Sequence, residues 1–214
     1  PIAEAVNVTG PGNLARAAAE RGISFVHYST DYVFAGEKPE GYTEEDEPSP
    51  ISTYGRTKAM GEKAVREAGG QWYILRLSKI FGTAGLSDAS KPSFVHLMMK
   101  LSRELSELKI VDEEVGCPSY TKDIAQATVE LLERAQPSGI YHVVNEGPGV
   151  TWYAFAKEIF ELAGVTTPFV PVPADAFPPR PAARPKFSAL VNTKLPPLRP
   201  RREALQEFLS SESF

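Results

Sequence analysis

Apolar side chains recur at helical spacing over the first twenty-one residues of the chain. This period predicts a helix over residues 2–21, with a kink or turn at Gly10-Pro11-Gly12 because proline removes a backbone donor. Gly22 follows as a glycine does at a helix C-cap. The pattern therefore predicts that the chain opens on a helix.

Two short apolar runs, residues 23–28 and 72–77, have the length and composition of buried strands. Ser29 and Thr30 follow the first run, and Ser78 follows the second. Ligands of parallel α/β sheets bind at the carboxyl ends of the strands. The hydroxyl side chains at these ends are therefore candidate site residues.

The rest of the chain alternates helical periods with short strands. A helix that Ser52 or Thr53 caps is predicted to run to about residue 68 and to carry Tyr54 and Lys58. Proline and arginine dominate residues 168–200, which are predicted to be irregular, partly extended and the wall of a substrate lobe. The other predicted helices are 94–107, 121–135, 151–164 and 199–208, and the other strands are 109–111 and 140–144; Leu97, Met98, Leu101 and Leu105 form a stripe interpreted as core.

Composition places the chain among globular proteins and excludes several functions. Its 214 residues are 42% hydrophobic and 23% charged, with a net charge of -4, which argues against nucleic-acid and anionic-membrane binding. No apolar run reaches the length of a membrane span, and no signal peptide is evident, so we expect a cytoplasmic setting. Cys117 is the only cysteine, which excludes an intramolecular disulfide and a cysteine-based zinc site.

The acidic residues and the histidines are interpreted as structural. A turn-rich loop over residues 36–52 is expected to be a solvated surface loop, and its carboxylates are interpreted as solvent-facing rather than as metal ligands. The histidines lack a neighbouring ligand at metal-binding spacing and are expected to be satisfied structural residues. These residues are Glu44, Glu45, Asp46, Glu47, His27, His96 and His142. No metal site is predicted.

Tyr54 and Lys58 lie four residues apart, so a helix places both on one face. A cation beside a phenol stabilises phenolate and is expected to lower the pKa of Tyr54 toward neutrality. The Tyr-x-x-x-Lys spacing alone is weak evidence, and the hydroxyl segment upstream strengthens it. Together these residues could reduce a carbonyl group.

With these motifs, the chain resembles the extended short-chain dehydrogenase/reductase superfamily and, within it, the dTDP-4-dehydrorhamnose reductase family. The resemblance covers nearly the whole sequence. Its segments are Ser29-Thr30-Asp31-Tyr32-Val33-Phe34, Tyr54-Gly55-x-Thr57-Lys58-x-x-Gly61-Glu62, Gly116-x-Pro118-x-Tyr120-Thr121, Arg180-Pro181-Ala182-x-Arg184-Pro185 and Asn192-Thr193-Lys194-Leu195.

The resemblance implies NAD(P)H-dependent reduction of the 4-keto group of a nucleotide-linked deoxysugar, with NADPH or NADH as cofactor. By it, Thr30 would bind the carbonyl, Tyr54 would protonate it, and Lys58 would hold the nicotinamide ribose. It also allows a homodimer. The remaining implied site residues are Ser29 and Ser78 for the cofactor, and Asp31, Tyr32, Lys79, Phe94 and Arg184 for the substrate.

The chain departs from the family pattern at several positions. Lys79 stands where these reductases usually carry tryptophan, which puts the exact sugar in question, and Ser93 replaces a common asparagine. Tyr32 stands where the related dehydratases carry glutamate, which favours reduction over dehydration. The glycine-rich turn that holds the cofactor pyrophosphate is absent, and Gly10-Pro11-Gly12-Asn13 does not replace it. We therefore expect that the first strands lie upstream of Pro1.

The expected fold is α/β, a Rossmann-like parallel sheet that lacks its N-terminal strands, with a small C-terminal α/β substrate lobe. Residues 1–82 would belong to the dinucleotide-binding domain, and residues 83–214 mainly to the substrate lobe, with segments returning to the Rossmann core. Thr30, Tyr54 and Ser78 should surround one cleft, and strand 23–28 should be exposed or covered by a partner. A catalytically idle regulatory subunit and a sugar-nucleotide epimerase remain as alternatives.

Overall fold

The computed structural model describes residues 1–85, 87, 90–212 and 214. All four groups of paired strands are parallel: a three-stranded sheet β1-β2-β6 and the pairs β3-β5, β4-β8 and β7-β9. The helices are α1 (Ile2–Glu4), α2 (Gly10–Glu20), α3 (Thr53–Glu67), α4 (Phe94–Glu104), α5 (Thr121–Glu133), α6 (Trp152–Ala163) and α7 (Arg201–Ser211). The strands are β1 (Phe25–Thr30), β2 (Trp72–Leu77), β3 (Ile80–Phe81), β4 (Leu108–Val111), β5 (Ser119–Tyr120), β6 (Gly139–His142), β7 (Asn145–Glu146), β8 (Phe169–Val172) and β9 (Leu198–Pro200).

The N-terminal helix is continuous, but its middle is a π-helical turn over Ala5–Thr9 rather than a kink at the glycines. Pro11 lies in the first turn of α2 and offers no N–H to the carbonyl of Asn7, four residues earlier. That carbonyl faces α3, where a side chain at Gly61 would come within 2.0 Å of it. The helix irregularity therefore allows a close contact between the two helices.

Helices cover both faces of the three-stranded sheet. Ile74 of β2 packs with Ala15 of α2 and Val65 of α3 on one face. On the other face Tyr73 and Leu75, together with Tyr141 of β6, pack against α5. This burial on both faces explains why β2 reads in the sequence as a continuous apolar run.

Strand β1 begins and ends two residues later than the sequence predicted, and it extends through Ser29 and Thr30. In the part of the chain that the structure describes, β1 is a terminal strand of its sheet and pairs with β2. Tyr28 is 45% exposed. This agrees with the expectation of an exposed edge at this strand.

A second core lies between α4, α6 and α7, around the rings of Phe81, Phe155 and Phe208. The interpretation of the α4 stripe as core was wrong for two of its four members, because Leu97 and Leu105 are 45% and 48% exposed. The buried face of α4 consists of Val95, Met98, Met99 and Ser102.

The proline-rich region contains two strands that the sequence did not predict, β8 and β9. Between them residues 187–191 run alongside earlier loops, and Ser188 N donates to the Val115 carbonyl at 2.9 Å. Strands β3, β5 and β7 were also missed, since two residues are too few to show a period. Helix α7 begins at Arg201 because the residues before it pair with β7.

The acidic loop is only partly solvated, so its interpretation as a solvent-facing loop was wrong for Glu44. This residue is 5% exposed and accepts hydrogen bonds from the backbone N–H of His142 at 3.1 Å and from the Thr193 hydroxyl at 2.7 Å. Burial opposes ionisation, but the hydrogen bond from Thr193 and the nearby His142 lower the pKa of the Glu44 carboxyl. Among the described residues, no group of three or more acidic, histidine or cysteine side chains could hold a metal ion.

A buried ion pair joins α3 to β2. Glu62 is 3% exposed and Arg76 is 1% exposed. The guanidinium donates from Nε to Glu62 Oε1 at 3.0 Å and from Nη2 to Oε2 at 2.7 Å. This two-pronged contact holds the helix at one position on the sheet.

We predict that Glu62→Ala lowers the free energy of unfolding by about 3–5 kcal/mol, because it leaves the Arg76 charge buried without its partner. The matched control is Glu67→Ala on the same helix, whose pair with Lys63 joins side chains that are 66% and 75% exposed. That control should cost less than about 1 kcal/mol. Urea unfolding of both variants tests the difference, and equal losses would contradict it.

Candidate active site

The carboxyl end of β1 and the first turn of α3 are held together by a tight backbone contact. After Thr30 the chain forms a 3₁₀ turn over Asp31–Val33. Ser52 caps α3 by accepting a hydrogen bond from Gly55 N at 3.1 Å. A side chain at Gly55 would lie 2.0 Å from the Tyr32 carbonyl, so only glycine permits this approach. The contact brings Tyr54 beside Thr30.

Tyr54 is 48% exposed at the mouth of the site. Partial burial raises the pKa of Tyr54, the neighbouring Thr30 hydroxyl opposes this shift, and Asp31 raises the pKa further. The Tyr32 ring stands edge-on to Tyr54, with centroids 5.8 Å apart. The phenol is therefore protonated at neutral pH and available as a proton donor.

Lys58 lies one turn further along α3, but its ammonium turns toward β1. Nζ donates to the Tyr28 carbonyl at 2.6 Å and lies 3.4 Å from His27 Nε2. The prediction that Lys58 lowers the pKa of Tyr54 was wrong, since burial raises that pKa. The pKa of Lys58 itself is lowered by burial, and the Glu62 carboxylate opposes the shift.

Ser29 does not present its hydroxyl to a ligand. The side chain is 6% exposed and donates to Glu62 Oε1 at 2.5 Å. Because the Glu62 carboxylate also accepts hydrogen bonds from Arg76, the Ser29 hydroxyl is part of the buried hydrogen-bond network that joins β1, β2 and α3. A role of Ser29 in binding the cofactor stays a prediction.

Asp31 and Ser78 likewise point into the protein, and the roles given to them, Asp31 in the sugar site and Ser78 in cofactor binding, stay predictions. Asp31 is 3% exposed and Ser78 is 2% exposed. Asp31 Oδ2 accepts from Ser78 Oγ at 2.9 Å and from Ser188 Oγ at 2.6 Å. Its Oδ1 accepts from Thr30 Oγ1 at 3.1 Å. Asp31 thus collects three hydroxyl groups, one of which is the predicted carbonyl-binding group.

Lys79 follows Ser78 in a left-handed backbone conformation, with φ at 43°. Its ammonium donates to the carbonyls of Glu114 at 2.5 Å and Val150 at 3.0 Å, and it lies 4.1 Å from the centre of the Trp152 ring. Burial lowers the pKa of Lys79 to about 8. An indole is therefore present beside position 79, but it comes from α6.

Arg184 and Arg180 converge on one carboxylate, Glu114, which lies 3.2 Å from Arg184 Nη1. The Trp152 indole N–H donates to the same carboxylate at 2.8 Å. Glu114, Arg180 and Arg184 border a cavity of about 730 Å³. Tyr32 lies near both arginines, and burial raises its pKa to about 12. The two arginines are therefore paired with the buried Glu114 carboxylate.

Phe94 occupies the edge of the second core rather than an open wall. Its ring lies 4.5 Å from that of Trp152 and 5.9 Å from that of Phe155, between centroids. Through Trp152 it supports the indole beside Lys79. A direct contact between Phe94 and substrate remains a prediction.

Tyr54 and Lys58 form a donor set that fits the ribose and carboxamide end of a nicotinamide cofactor. Both side chains project from α3 near the carboxyl end of β1, Tyr54 exposed and Lys58 half-buried. An ammonium and a phenol suit ribose hydroxyls. The sequence contains no glycine-rich turn for the pyrophosphate.

Sequence reasoning missed several side chains that organise the site. Glu62 stands four residues after Lys58, a helical spacing that could have indicated it. Trp152 directly follows the Thr151 helix cap, and Glu114 and Ser188 lie in irregular segments. Contacts between distant parts of the chain place Trp152, Glu114 and Ser188 near the site, and no local sequence pattern predicts such contacts.

The family described as RmlD substrate binding domain matches residues 2–213. The chain belongs to this family. Spore coat polysaccharide biosynthesis protein SpsK of Bacillus subtilis is 36% identical over 97% of this chain and 71% of its own length. The dTDP-4-dehydrorhamnose reductase of Burkholderia thailandensis is 37% identical over 90% of this chain and 67% of its own length.

Solved structures of relatives share the fold. The crystal structure of dTDP-4-dehydrorhamnose reductase from Bacillus anthracis, in complex with NADP, superposes with a TM-score of 0.88 at 34% identity. The match covers 96% of this chain and 72% of the other. The predicted α/β, Rossmann-like fold and the family resemblance are thereby confirmed.

Two buried histidines stay neutral in the folded protein. Burial lowers the pKa of both His27 and His142 to about 4. His142 Nδ1 lies 3.0 Å from the Val191 carbonyl, while Nε2 has no hydrogen-bond partner among the described residues. The prediction that the histidines are satisfied was thus only partly right.

We predict that the free energy of unfolding falls as the pH drops from about 6.5 toward 4. Each histidine takes up a proton when it unfolds, so each contributes a slope of about 1.4 kcal/mol per pH unit. Urea unfolding between pH 5 and 6.5 measures the slope. His27→Gln should reduce the slope, and an unchanged slope in this variant would contradict the prediction.

Proposed function

We propose that this chain carries the catalytic residues of an NAD(P)H-dependent reductase that converts dTDP-4-dehydrorhamnose to dTDP-L-rhamnose. The observation that carries the proposal is the position of the half-exposed Tyr54 phenol beside the Thr30 hydroxyl, which is near enough to affect the Tyr54 pKa. Two adjacent hydroxyl groups at the carboxyl end of a parallel sheet can bind one carbonyl oxygen. The reductases similar to this chain support the substrate class.

The proposed chemistry divides between binding and proton transfer. A bound nicotinamide cofactor supplies the hydride. Thr30 holds the 4-keto oxygen in hydrogen-bond reach of Tyr54, and Tyr54 gives its phenol proton to that oxygen as negative charge develops. Lys58, fixed by the Tyr28 carbonyl, offers its remaining N–H groups to the ribose. Tyr32 and Arg184 bind the sugar nucleotide in this scheme.

The direct test follows NADPH and NADH oxidation by the intact protein with dTDP-4-dehydrorhamnose. Formation of dTDP-L-rhamnose supports the proposal and also reveals the cofactor preference. Cofactor oxidation should require the sugar nucleotide. Purified, folded protein that oxidises neither cofactor with this substrate would refute the proposal.

We predict that Tyr54→Phe lowers kcat at least ~100-fold, with a smaller effect on KM, because it removes the general acid. The control is Tyr28→Phe. Tyr28 lies on β1 near the site, but its hydroxyl bonds to Thr128 at 3.0 Å and not to a site residue. That control should keep kcat within about threefold. Steady-state kinetics measure both variants, and near-normal turnover by Tyr54→Phe would favour the regulatory alternative.

The alternative of a catalytically idle regulatory subunit has one observation in its favour. The Lys58 ammonium turns to the Tyr28 carbonyl, and the pKa of Tyr54 is raised by burial rather than lowered. A raised pKa still permits proton donation, so the reductase proposal is preferred. Binding of the sugar nucleotide without any turnover, measured by calorimetry alongside the assay, would favour the alternative.

We predict that Lys79 shifts substrate choice away from dTDP-4-dehydrorhamnose. The Lys79 ammonium is held by the Glu114 and Val150 carbonyls, and it does not offer a sugar the flat apolar face that an indole offers. Lys79→Trp should therefore raise kcat/KM for this substrate by about 10-fold, the lower end for one pocket contact. Lys79→Met controls for loss of charge alone. Equal values for the wild type and Lys79→Trp would contradict the prediction.

Location, partners and domain division are further expectations for this protein. In the part of the chain that the structure describes, no helix is long and apolar enough to cross a membrane. The expectations that the protein is cytoplasmic, binds no nucleic acid and forms a homodimer remain predictions. The division at residue 82 is also a proposal, since β6 returns to the sheet of β1 and β2.

A further inference from the structure

Glu114 is a buried acid that the proposed chemistry does not use. The residue is 8% exposed and lies in the segment between β4 and β5. Its Oε1 accepts a hydrogen bond from Arg180, and its Oε2 accepts from Arg184 Nη1 at 3.2 Å and from the Trp152 indole N–H at 2.8 Å. Three donors from two distant segments of the chain therefore converge on one carboxylate.

The backbone keeps Glu114 beside the segment that carries the arginines. Val115 N donates to the Lys186 carbonyl at 2.8 Å, so the residues after Glu114 run alongside the residues after Arg184. The Glu114 carbonyl accepts from Lys79 Nζ at 2.5 Å. The position of the carboxylate is thus fixed both to the arginine segment and to the residue that follows Ser78.

Both arginines contact Glu114 through Nη1 and border the cavity of about 730 Å³. A guanidinium carries five N–H donors, and its Nε and Nη2 groups form a fork that fits a phosphate group. The side chains of Arg180 and Arg184 are 32% and 39% exposed, whereas that of Glu114 is 11% exposed. The carboxylate is therefore less accessible than the arginines, and their contact with it leaves the fork of each guanidinium unused.

We propose that Glu114 is a positioning residue that holds Arg180 and Arg184 ready to bind the diphosphate of the substrate. The inference rests on the proposed function, because the diphosphate belongs to the nucleotide sugar named there. A long side chain loses rotamer freedom when it binds an anion, and fixing it beforehand removes that cost from the binding free energy. Glu114 acts through the two arginines and takes no part in proton transfer.

Charge alone would give Glu114 the opposite effect. A carboxylate repels an anion, so loss of its charge should tighten the binding of a diphosphate if Glu114 acts only electrostatically. If Glu114 acts by holding the arginines, loss of its contacts should weaken that binding. The sign of the change in affinity therefore separates the two roles.

Glu114→Gln removes these contacts with little change in side-chain volume. The amide oxygen can replace only one of the two carboxylate oxygens, and the amide nitrogen is a donor that cannot accept from a guanidinium or an indole. At least one of the three donors at Glu114 therefore loses its partner in this variant.

Calorimetry with dTDP as the probe measures the effect on the intact protein. Glu114→Gln should raise the Kd for dTDP about 10-fold, because the arginines must then be ordered on binding. The matched control is Asp175→Asn, which removes the same charge from an exposed residue at the same cavity. That control should leave the Kd within about threefold of the wild type.

Steady-state kinetics with dTDP-4-dehydrorhamnose provide a second readout. Glu114→Gln should raise KM about 10-fold and keep kcat within about threefold, because the diphosphate is bound alike in the ground state and the transition state. A merely structural role would lower kcat as well. Equal or tighter binding of dTDP by folded Glu114→Gln, or a loss in kcat at unchanged KM, would overturn the inference.

Failure of the proposed function gives a different result. Wild-type protein that binds dTDP with the expected differences between variants, but has no turnover, would support the inference and overturn the reductase proposal. Wild-type protein that turns over the substrate with equal KM in Glu114→Gln would overturn the inference alone. Wild-type protein that does not bind dTDP would also overturn the inference.

Glu114→Asp keeps the inference testable if Glu114→Gln does not fold. This variant retains the negative charge beside the arginines, but its carboxylate is one methylene group shorter and cannot keep all three contacts. Its Kd for dTDP should rise at least ~3-fold. An unchanged Kd in folded Glu114→Asp would overturn the inference.

Discussion

The ion pair between Glu62 and Arg76 is the contact on which the geometry of the site depends. It joins the middle of α3 to the end of β2, and the same carboxylate accepts the hydroxyl of Ser29 on β1. Three elements are thereby held in one relative position by charges that water does not reach. Since Tyr54 and Lys58 lie on that helix, their distance from the strand end is set by a contact one to two turns away from them.

The two hydroxyl residues at the end of β1 bond to different buried carboxylates. Glu62 accepts a hydrogen bond from Ser29 on one side of the strand, and Asp31 accepts one from Thr30 on the other. Alternation along the strand sends neighbouring side chains in opposite directions. Of the two, Thr30 lies beside Tyr54 at the open site, and this alternation explains why two adjacent hydroxyl residues have such different surroundings.

The sequence predicted the elements better than the directions of their polar side chains. Strand β2 agrees with its predicted range, and α3 agrees within one residue, because apolar periods and a Ser52 cap are local signals. Ser29 and Ser78 were candidate site residues because both follow apolar runs that predict strands. In the structure their side chains bond to Glu62 and Asp31, which lie 33 and 47 residues away along the chain, and no local pattern encodes such pairs.

The parallel pairing of the strands described above has a consequence for how the protein folds. In the described part of the chain, the paired strands lie about 40 to 70 residues apart in sequence, and no two consecutive strands form a hairpin. Long loops must close before any ladder forms, so folding should be slow and intermediates should expose strand edges for a relatively long time. The hydroxyl cluster at Asp31 draws on three separate segments of the chain, at Thr30-Asp31, Ser78 and Ser188, so we expect it to be among the last features to form on the folding pathway.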